Sequence, residues 1–243
     1  MIEAHLLTKH FQDKKRGLVK AVDQASFICQ PGEIFGLLGL NGAGKTTALR
    51  LLSTTLKPTS GTASVAGFDI VKHPQEVKSK IGFLTGQTAL YPRLTADEVI
   101  TYFCKLYALN GNVLERRKKE IFETLGITEF KDTKVDKLST GMKQKVSIAR
   151  AIIHDPPVLI LDEPTVGLDV ITSRGIVDLI REARKQGKTV ILSTHRMEEA
   201  AKLCDRIAII HKGKIIVSGT VNELQTQSGL SDLEDIFVKL VGE

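Results

Sequence analysis

The stretch that most constrains this chain is Gly39-Leu40-Asn41-Gly42-Ala43-Gly44-Lys45-Thr46-Thr47. It follows a short apolar run, Ile34-Phe35-Gly36-Leu37-Leu38, and precedes residues at helical spacing, Ala48, Leu49, Leu51 and Leu52. Strand, glycine-rich loop and helix, in that order, make a phosphate cradle. Gly39, Gly44, Lys45 and Thr46 stand at the G-x-x-x-x-G-K-[ST] spacing of a P-loop. The chemistry favours these residue types. Glycines let the backbone curl until several N–H groups converge on one anion. The following helix aims its positive end at the same point. Lys45 adds a full charge near the outer phosphates, and the Thr46 hydroxyl is a hard oxygen ligand for Mg²⁺. A glycine-rich turn with a solvated lysine is the bland alternative, and the flanking strand and helix speak against it.

At 243 residues the chain can bury a substantial core, as one large domain or one domain with subdomains. No apolar run approaches the roughly 20 residues of a membrane span. The first residues, Met1-Ile2-Glu3-Ala4-His5, lack the basic and apolar regions of a signal peptide. These features predict a cytosolic chain that acts at a membrane only through a partner. Cys29, Cys104 and Cys204 are scattered, without disulfide or metal-ligand spacing, and are expected as reduced thiols. The net charge of +6 suits an anionic ligand or lipid surface, but it is too weak and dispersed to argue for nucleic acid.

Residues 2–11 and 18–29 read as two strands around the polar turn 13–17, an antiparallel hairpin beside the nucleotide site. Phe11, just before that turn, fits either an adenine-stacking role or a place in the strand core. Lys57-Pro58-Thr59-Ser60-Gly61 ends the helix after the P-loop. A short strand is expected at 62–66, a short helix at 75–80 and a strand at 81–85. From Thr95 to Leu109 and from Asn112 to Leu125 helical periodicity takes over. Arg116, Arg117, Lys118 and Lys119 read as a solvated helix face. Strands are expected again at 158–161, 189–193, 206–211 and 215–217, with helices between them and two short helices at the end. The fold class is therefore α/β, a mostly parallel sheet with helices on both faces. Residues 1–86 and 154–243 would form the α/β core with an N-terminal antiparallel β subdomain, and 87–153 an inserted helical subdomain.

Asp162 and Glu163 stand at the carboxyl end of the buried run 158–161, where open α/β sheets bind ligands. Asp162 can hold Mg²⁺ or its water, and Glu163 can polarise an attacking water. His195 ends the next strand. It is either a hydrogen-bond donor to the outermost phosphate or a satisfied structural histidine. Leu138-Ser139-Thr140-Gly141-Met142 opens a helix to about Ile153. Ser139 and Gly141 there form either a capped helix start or a second anion site.

Together these pieces resemble the ATP-binding cassette (ABC) ATPases over essentially the whole chain. Gly39 to Thr46 matches the Walker A loop, and Val158 to Glu163 matches Walker B with its catalytic glutamate. Leu138 to Met142 is similar to the LSGGQ signature, with Thr140 and Met142 as departures. Gly167-Leu168-Asp169 matches the D-loop, His195 the switch histidine and Phe11 the A-loop position. The resemblance implies a P-loop NTPase (RecA-like) core, ATP and Mg²⁺ as cofactors, and a head-to-tail homodimer. Each ATP would lie between one subunit's Walker A loop and the other's signature. A membrane permease partner and a place on the cytoplasmic face of the cell membrane are implied as well, and no nucleic acid. The resemblance places Gly86 where the family carries its Q-loop glutamine, with Gln87 one residue later as the candidate metal contact. Phe83-Leu84-Thr85-Gly86, residues 139–145 and Leu233-Glu234-Asp235-Ile236-Phe237 look most like bacterial sodium-exporting members. Drug, polysaccharide and lipid exporters are alternatives. A soluble ABC protein acting on DNA or the ribosome is disfavoured, because no long coiled coil and no second cassette is present. Thr133-Lys134-Val135-Asp136 loosely fits a guanine-reading motif, but it lies in a charged loop.

Overall fold

A computed structural model describes residues 1–15, 17–85 and 90–242. The chain opens with β1 (Ile2–Asp13) and β2 (Gly17–Cys29), paired antiparallel through Asp13 opposite Gly17. Strand β3 (Ile34–Leu38) leads through the glycine-rich loop into helix α1 (Lys45–Leu52). β4 (Ser60–Val65) adds antiparallel to β1, the short β5 (Phe68–Asp69) adds to β4, and α2 (Pro74–Lys80) returns the chain to β6 (Ile81–Leu84). Helices α3 (Ala96–Leu106), α4 (Gly111–Leu125) and α5 (Thr140–Ile152) follow. The chain then alternates β7 (Val158–Asp162), α6 (Val170–Lys185), β8 (Thr189–Thr194), α7 (Met197–Leu203), β9 (Arg206–His211) and β10 (Lys214–Gly219). Helices α8 (Val221–Ser228) and α9 (Leu233–Val241) close it.

Two sheets result. One runs β2-β1-β4-β5 and is antiparallel, and the other runs β10-β9-β3-β8-β7-β6. In the second sheet every pairing is parallel except β10 with β9. Every residue of β3, β7 and β8 is buried, which explains their unbroken apolar runs. Successive side chains point to opposite faces. Ile34, Leu38, Leu159, Leu161, Val190 and Leu192 accordingly enter a core shared with α3 to α9. Phe35, Leu37, Val158, Ile160 and Ile191 enter another, shared with α1, α2 and the antiparallel sheet.

The β9–β10 connection has two residues, Lys212 and Gly213, both with positive φ (47° and 83°), as a primed hairpin turn requires. It is also the joint between the sheets. Gly213 N–H donates to Ala43 O of the glycine-rich loop at 2.8 Å, and Asp23 N–H donates to Gly213 O at 2.8 Å.

Two expectations need correction. The basic run at 116–119 is not one solvated face. Lys118 pairs with Asp97 of α3 at 2.7 Å and donates to Thr101 Oγ1 at 3.0 Å. Arg117 donates to the Ile152 and Ile153 carbonyls at the end of α5, each at 3.4 Å. Four consecutive residues sweep the whole circumference of a helix, so such a run must also meet its packed side. Phe11 does not belong to a strand core either, since it is 40% exposed. The guanine-motif residues 133–136 follow no strand, and Val135 instead starts a 3₁₀ turn, its N–H bonded to Leu94 O.

His154 sits at the seam between α3 and the sheet. Its ring stacks on Tyr107 at 3.6 Å and 4°, and Nε2–H donates to Ile81 O at 3.1 Å. Nδ1 is buried with no partner. A second proton would have no acceptor there, and burial, with nearby Lys188, pushes the imidazole down to about 4. The folded chain thus refuses a proton that the unfolded chain accepts below its ordinary value of 6.5. Stability present above that value is lost as pH falls toward 4. We expect wild-type urea midpoints to drop between pH 7.5 and 5, and His154→Gln, which keeps the donor to Ile81, to drop less. Parallel pH profiles for the two proteins would contradict this account.

Candidate functional site

Three parallel strands end at one level. Leu38 of β3 lies opposite Thr194 of β8, and Asp162 of β7 lies opposite Ser193. The loop after Leu38, the turn after Asp162 and the residue after Thr194 therefore converge. Gly39 and Gly44 have no room for a side chain. A Cβ on Gly39 would lie 2.4 Å from Ile210 O, and one on Gly44, whose φ is +113°, would lie 2.2 Å from Ala21 O. α1 starts without a side-chain cap or an acidic first turn, so its leading N–H groups remain available to an anion.

Lys45 is 5% exposed. Its ammonium donates to the carbonyls of Gly39 (2.7 Å) and Leu40 (3.2 Å) and pairs with Glu163 at 3.4 Å. Glu163 also meets His195 Nδ1 at 3.1 Å, and its backbone takes a positive φ of 49°, uncommon outside glycine. A charged carboxylate accepts only, so Nδ1 carries the proton in that contact. Asp162 Oδ1 accepts from the Ser193 hydroxyl at 2.6 Å and from the Thr46 hydroxyl at 3.2 Å. A hydroxyl beside a carboxylate, with no His or Cys, is a donor set suited to Mg²⁺ that takes its remaining ligands from phosphates and water. No cluster of three or more His, Cys, Asp or Glu forms a dedicated metal cage among the described residues.

A cleft of about 270 Å³ opens over Lys45, Thr46 and Glu163, lined also by Leu40, Asn41, Gly42, Gly44 and Thr47 of the loop and helix start, by Val19, Lys20 and Ala21 of β2, and by Lys212. A second cleft of about 330 Å³ adjoins it, lined by Asn41, Thr46, Thr85, Gln144, Asp162, Glu163 and Val166. Ala43 is buried beneath the loop. Phe11 pairs with Val19 across the β1–β2 ladder, at the rim, and the Lys9 ammonium lies 5.3 Å from its ring centre.

The remaining sequence-predicted residues lie elsewhere. Ser139 caps α5, its hydroxyl accepting from Met142 N–H at 3.2 Å. A Cβ on Gly141 would meet Thr172 Oγ1 at 3.5 Å and Asp169 Oδ2 at 3.7 Å, which are ordinary contacts. Asp169 caps α6 by accepting from the Thr172 N–H at 2.9 Å and the Thr172 hydroxyl at 2.8 Å, and these bonds hold its carboxyl below the usual range. Neither Ser139 nor Gly141 lines either cleft of its own chain. Gly86 and Gln87 lie outside the described residues. Sequence reasoning missed Ser193, which fixes Asp162. It missed Gln144, whose Nε2–H donates to Pro164 O at 2.9 Å and ties α5 to the turn after Glu163. It also missed the apolar pair Val170 and Ile171, 83% and 85% exposed at the start of α6. Two adjacent β-branched residues directly after Asp169 were the available signal.

Comparison with known proteins bears on this geometry. The model of the family described as "ABC transporter" matches residues 22–166. The chain is 44% identical over 236 residues to the ABC transporter ATP-binding protein NatA of Bacillus subtilis (strain 168), covering 96% of each. It is 37% identical over 243 residues to the linearmycin resistance ATP-binding protein LnrL of the same organism, covering all of this chain and 76% of that one. Among solved structures it is similar to the dimeric post-hydrolysis state of the ATP-binding cassette MJ0796 bound to ADP and Pi. There the TM-score is 0.83 at 27% identity, over 90% of this chain and 98% of that one.

The fully buried Ser193 gives this arrangement a direct test. Ser193→Ala removes the 2.6 Å donor to Asp162 and leaves a buried carboxylate short of a partner. We expect a loss of about 1–3 kcal/mol in urea unfolding. A cost below about 0.3 kcal/mol would show that Asp162 does not depend on it.

Proposed function

Because the chain belongs to the ABC transporter family, as an ATP-binding and ATP-hydrolysing subunit, we propose that it powers export through a separate membrane-embedded subunit, with Na⁺ as the cargo. The observation that carries the mechanism is the gathering of Lys45, Thr46, Asp162 and Glu163 around two adjoining clefts, with His195 held against Glu163. No helix among the described residues is long and apolar enough to cross a membrane. In this reading the chain sits peripherally, on the cytoplasmic face, against its permease.

The polyphosphate of ATP enters over the loop 39–44 and the free N–H groups of α1, next to Asn41, Gly42 and Thr47. Lys45 exchanges the Glu163 carboxylate for phosphate oxygens. Thr46 and Asp162 would hold Mg²⁺, which neutralises charge on the outer phosphates when bound. Glu163, released from Lys45, accepts a proton from the attacking water, and His195 orients it through the Nδ1 contact. Phe11 at the rim offers a ring to the base. Ser139, Gly141 and Asp169, outside their own chain's clefts, serve the nucleotide of a second copy. The exposed Val170 and Ile171 beside them and the dimeric relative support a head-to-tail homodimer.

The Na⁺ cargo rests on the resemblance of residues 83–86, 139–145 and 233–237 to sodium-exporting cassettes. The resistance relative favours a second reading, export of a drug. Inverted vesicles containing this chain and its permease should accumulate ²²Na⁺ with ATP and not when Lys45 is replaced by Ala. ATP-driven uptake of an amphipathic drug without Na⁺ would select the second reading.

Glu163→Gln removes the charge and keeps the shape. We expect turnover to fall by at least about a hundredfold while ATP binding persists, and an ATP-dependent dimer on size exclusion. On that background Gly141→Ala should still dimerise, because its methyl has room. Gly141→Asp should not, because a carboxylate would face phosphate. Near-normal turnover in Glu163→Gln would remove Glu163 as the base, and dimers of the Gly141→Asp protein would leave Ser139 and Gly141 as a helix cap only.

A further inference from the structure

The cleft has a second cation that the P-loop pattern does not specify. Lys212 lines it from the β9–β10 turn, whose Gly213 packs on Lys20 and Ala21 of β2, the strand that also carries Val19 opposite Phe11. Lys45 is already matched by Glu163. Lys20, which also lines the cleft, shares Asp23 with Lys214, each at 3.7 Å. Lys212 makes no ion pair among the described residues. The charged residues that line the cleft are Lys20, Lys45, Lys212 and Glu163, three lysines against one carboxylate, so the cleft carries excess positive charge.

The position of Lys212 is held by backbone rather than chance. The Gly213 N–H bond to Ala43 O ties the turn to the phosphate loop, and the Asp23 N–H bond to Gly213 O ties it to β2. A Cβ on Gly213 would lie 2.8 Å from Lys20 O, so the turn fits closely against that strand. The first position of such a turn favours Asn, Asp or Gly, whereas here it holds a lysine at φ 47°. The turn geometry alone does not explain a long cationic side chain at that place.

We propose that Lys212 is a positioning residue for the nucleotide, with its ammonium on the α-phosphate side of the polyphosphate, away from the outer phosphates that face Lys45. This deepens the ATP reading above and rests on it. Lys45 and Thr46 then grip the end that is cleaved, and Lys212 grips the end that stays with the nucleoside. ATP and ADP share that end, so both should feel Lys212 equally.

Calorimetry with ATP and with ADP, in EDTA so that no turnover occurs, tests the assignment on the full chain. Lys212→Asn should weaken both nucleotides about fivefold at low salt, in line with one exposed charge contact. Its melting temperature should hold or rise, since Asn suits the turn. Lys212→Arg should restore affinity, and the wild-type advantage over Lys212→Asn should shrink in 0.5 M KCl as the contact is screened. Unchanged affinity in Lys212→Asn overturns the proposal. So does a loss that Lys212→Arg does not rescue, or one confined to ATP, which would move the contact to the outermost phosphate. Lys45→Ala run alongside separates the two levels. If Lys45→Ala still binds ATP normally, the nucleotide reading itself fails. If it does not bind while Lys212→Asn binds as tightly as the wild type, only the role of Lys212 fails.

Discussion

The site depends on the common level at which β3, β7 and β8 end. Parallel pairing of three fully buried strands leaves them no freedom to slip, because a shift by one residue would send every apolar side chain to the wrong face. With Leu38 opposite Thr194 and Asp162 opposite Ser193, the phosphate loop, the acidic pair and His195 have to meet. The Ser193 hydroxyl then fastens Asp162 across two strands. The chemistry is thus placed by backbone register, and the side chains adjust it locally.

Within that frame the decisive electrostatic feature is Lys45. A nearly buried ammonium is costly without counter-charge. Two loop carbonyls and the Glu163 carboxylate supply it. A polyphosphate offers more negative charge and more acceptor oxygens than one carboxylate, so in the proposed mechanism it displaces Glu163 from the lysine. The base is then freed by the arrival of the phosphate that the water is to attack. His195 holds the same Glu163 oxygen that Lys45 meets, and so keeps the carboxylate in place when the lysine turns to phosphate.

Much of this was legible in the sequence, for identifiable reasons. The P-loop glycines are steric requirements that read directly, and the buried strands announce themselves by unbroken apolarity. The acids at the end of β7 follow from the general rule for ligand sites in α/β sheets. What was not legible depends on packing between distant segments. Lys118 looked solvated because its partner, Asp97, lies 21 positions earlier on another helix (118 − 97). Ser193 looked like any strand serine until β8 was set beside β7. Gln144 gave no local signal, since it acts on a carbonyl of another segment. Phe11 could not be assigned to core or rim without knowing which face of β1 the other sheet covers.

The alternation of side chains across the central sheet has a consequence for how such a chain can vary. Ile160 and Leu161 are adjacent in sequence, yet they belong to different hydrophobic cores, one under the phosphate loop and one under the helical layer. The sheet acts as an insulating wall between two compartments. Substitutions that soften the helical layer can accumulate on one side while the floor beneath the phosphate loop stays rigid. Inheritance can therefore retune the two faces of this one domain nearly independently.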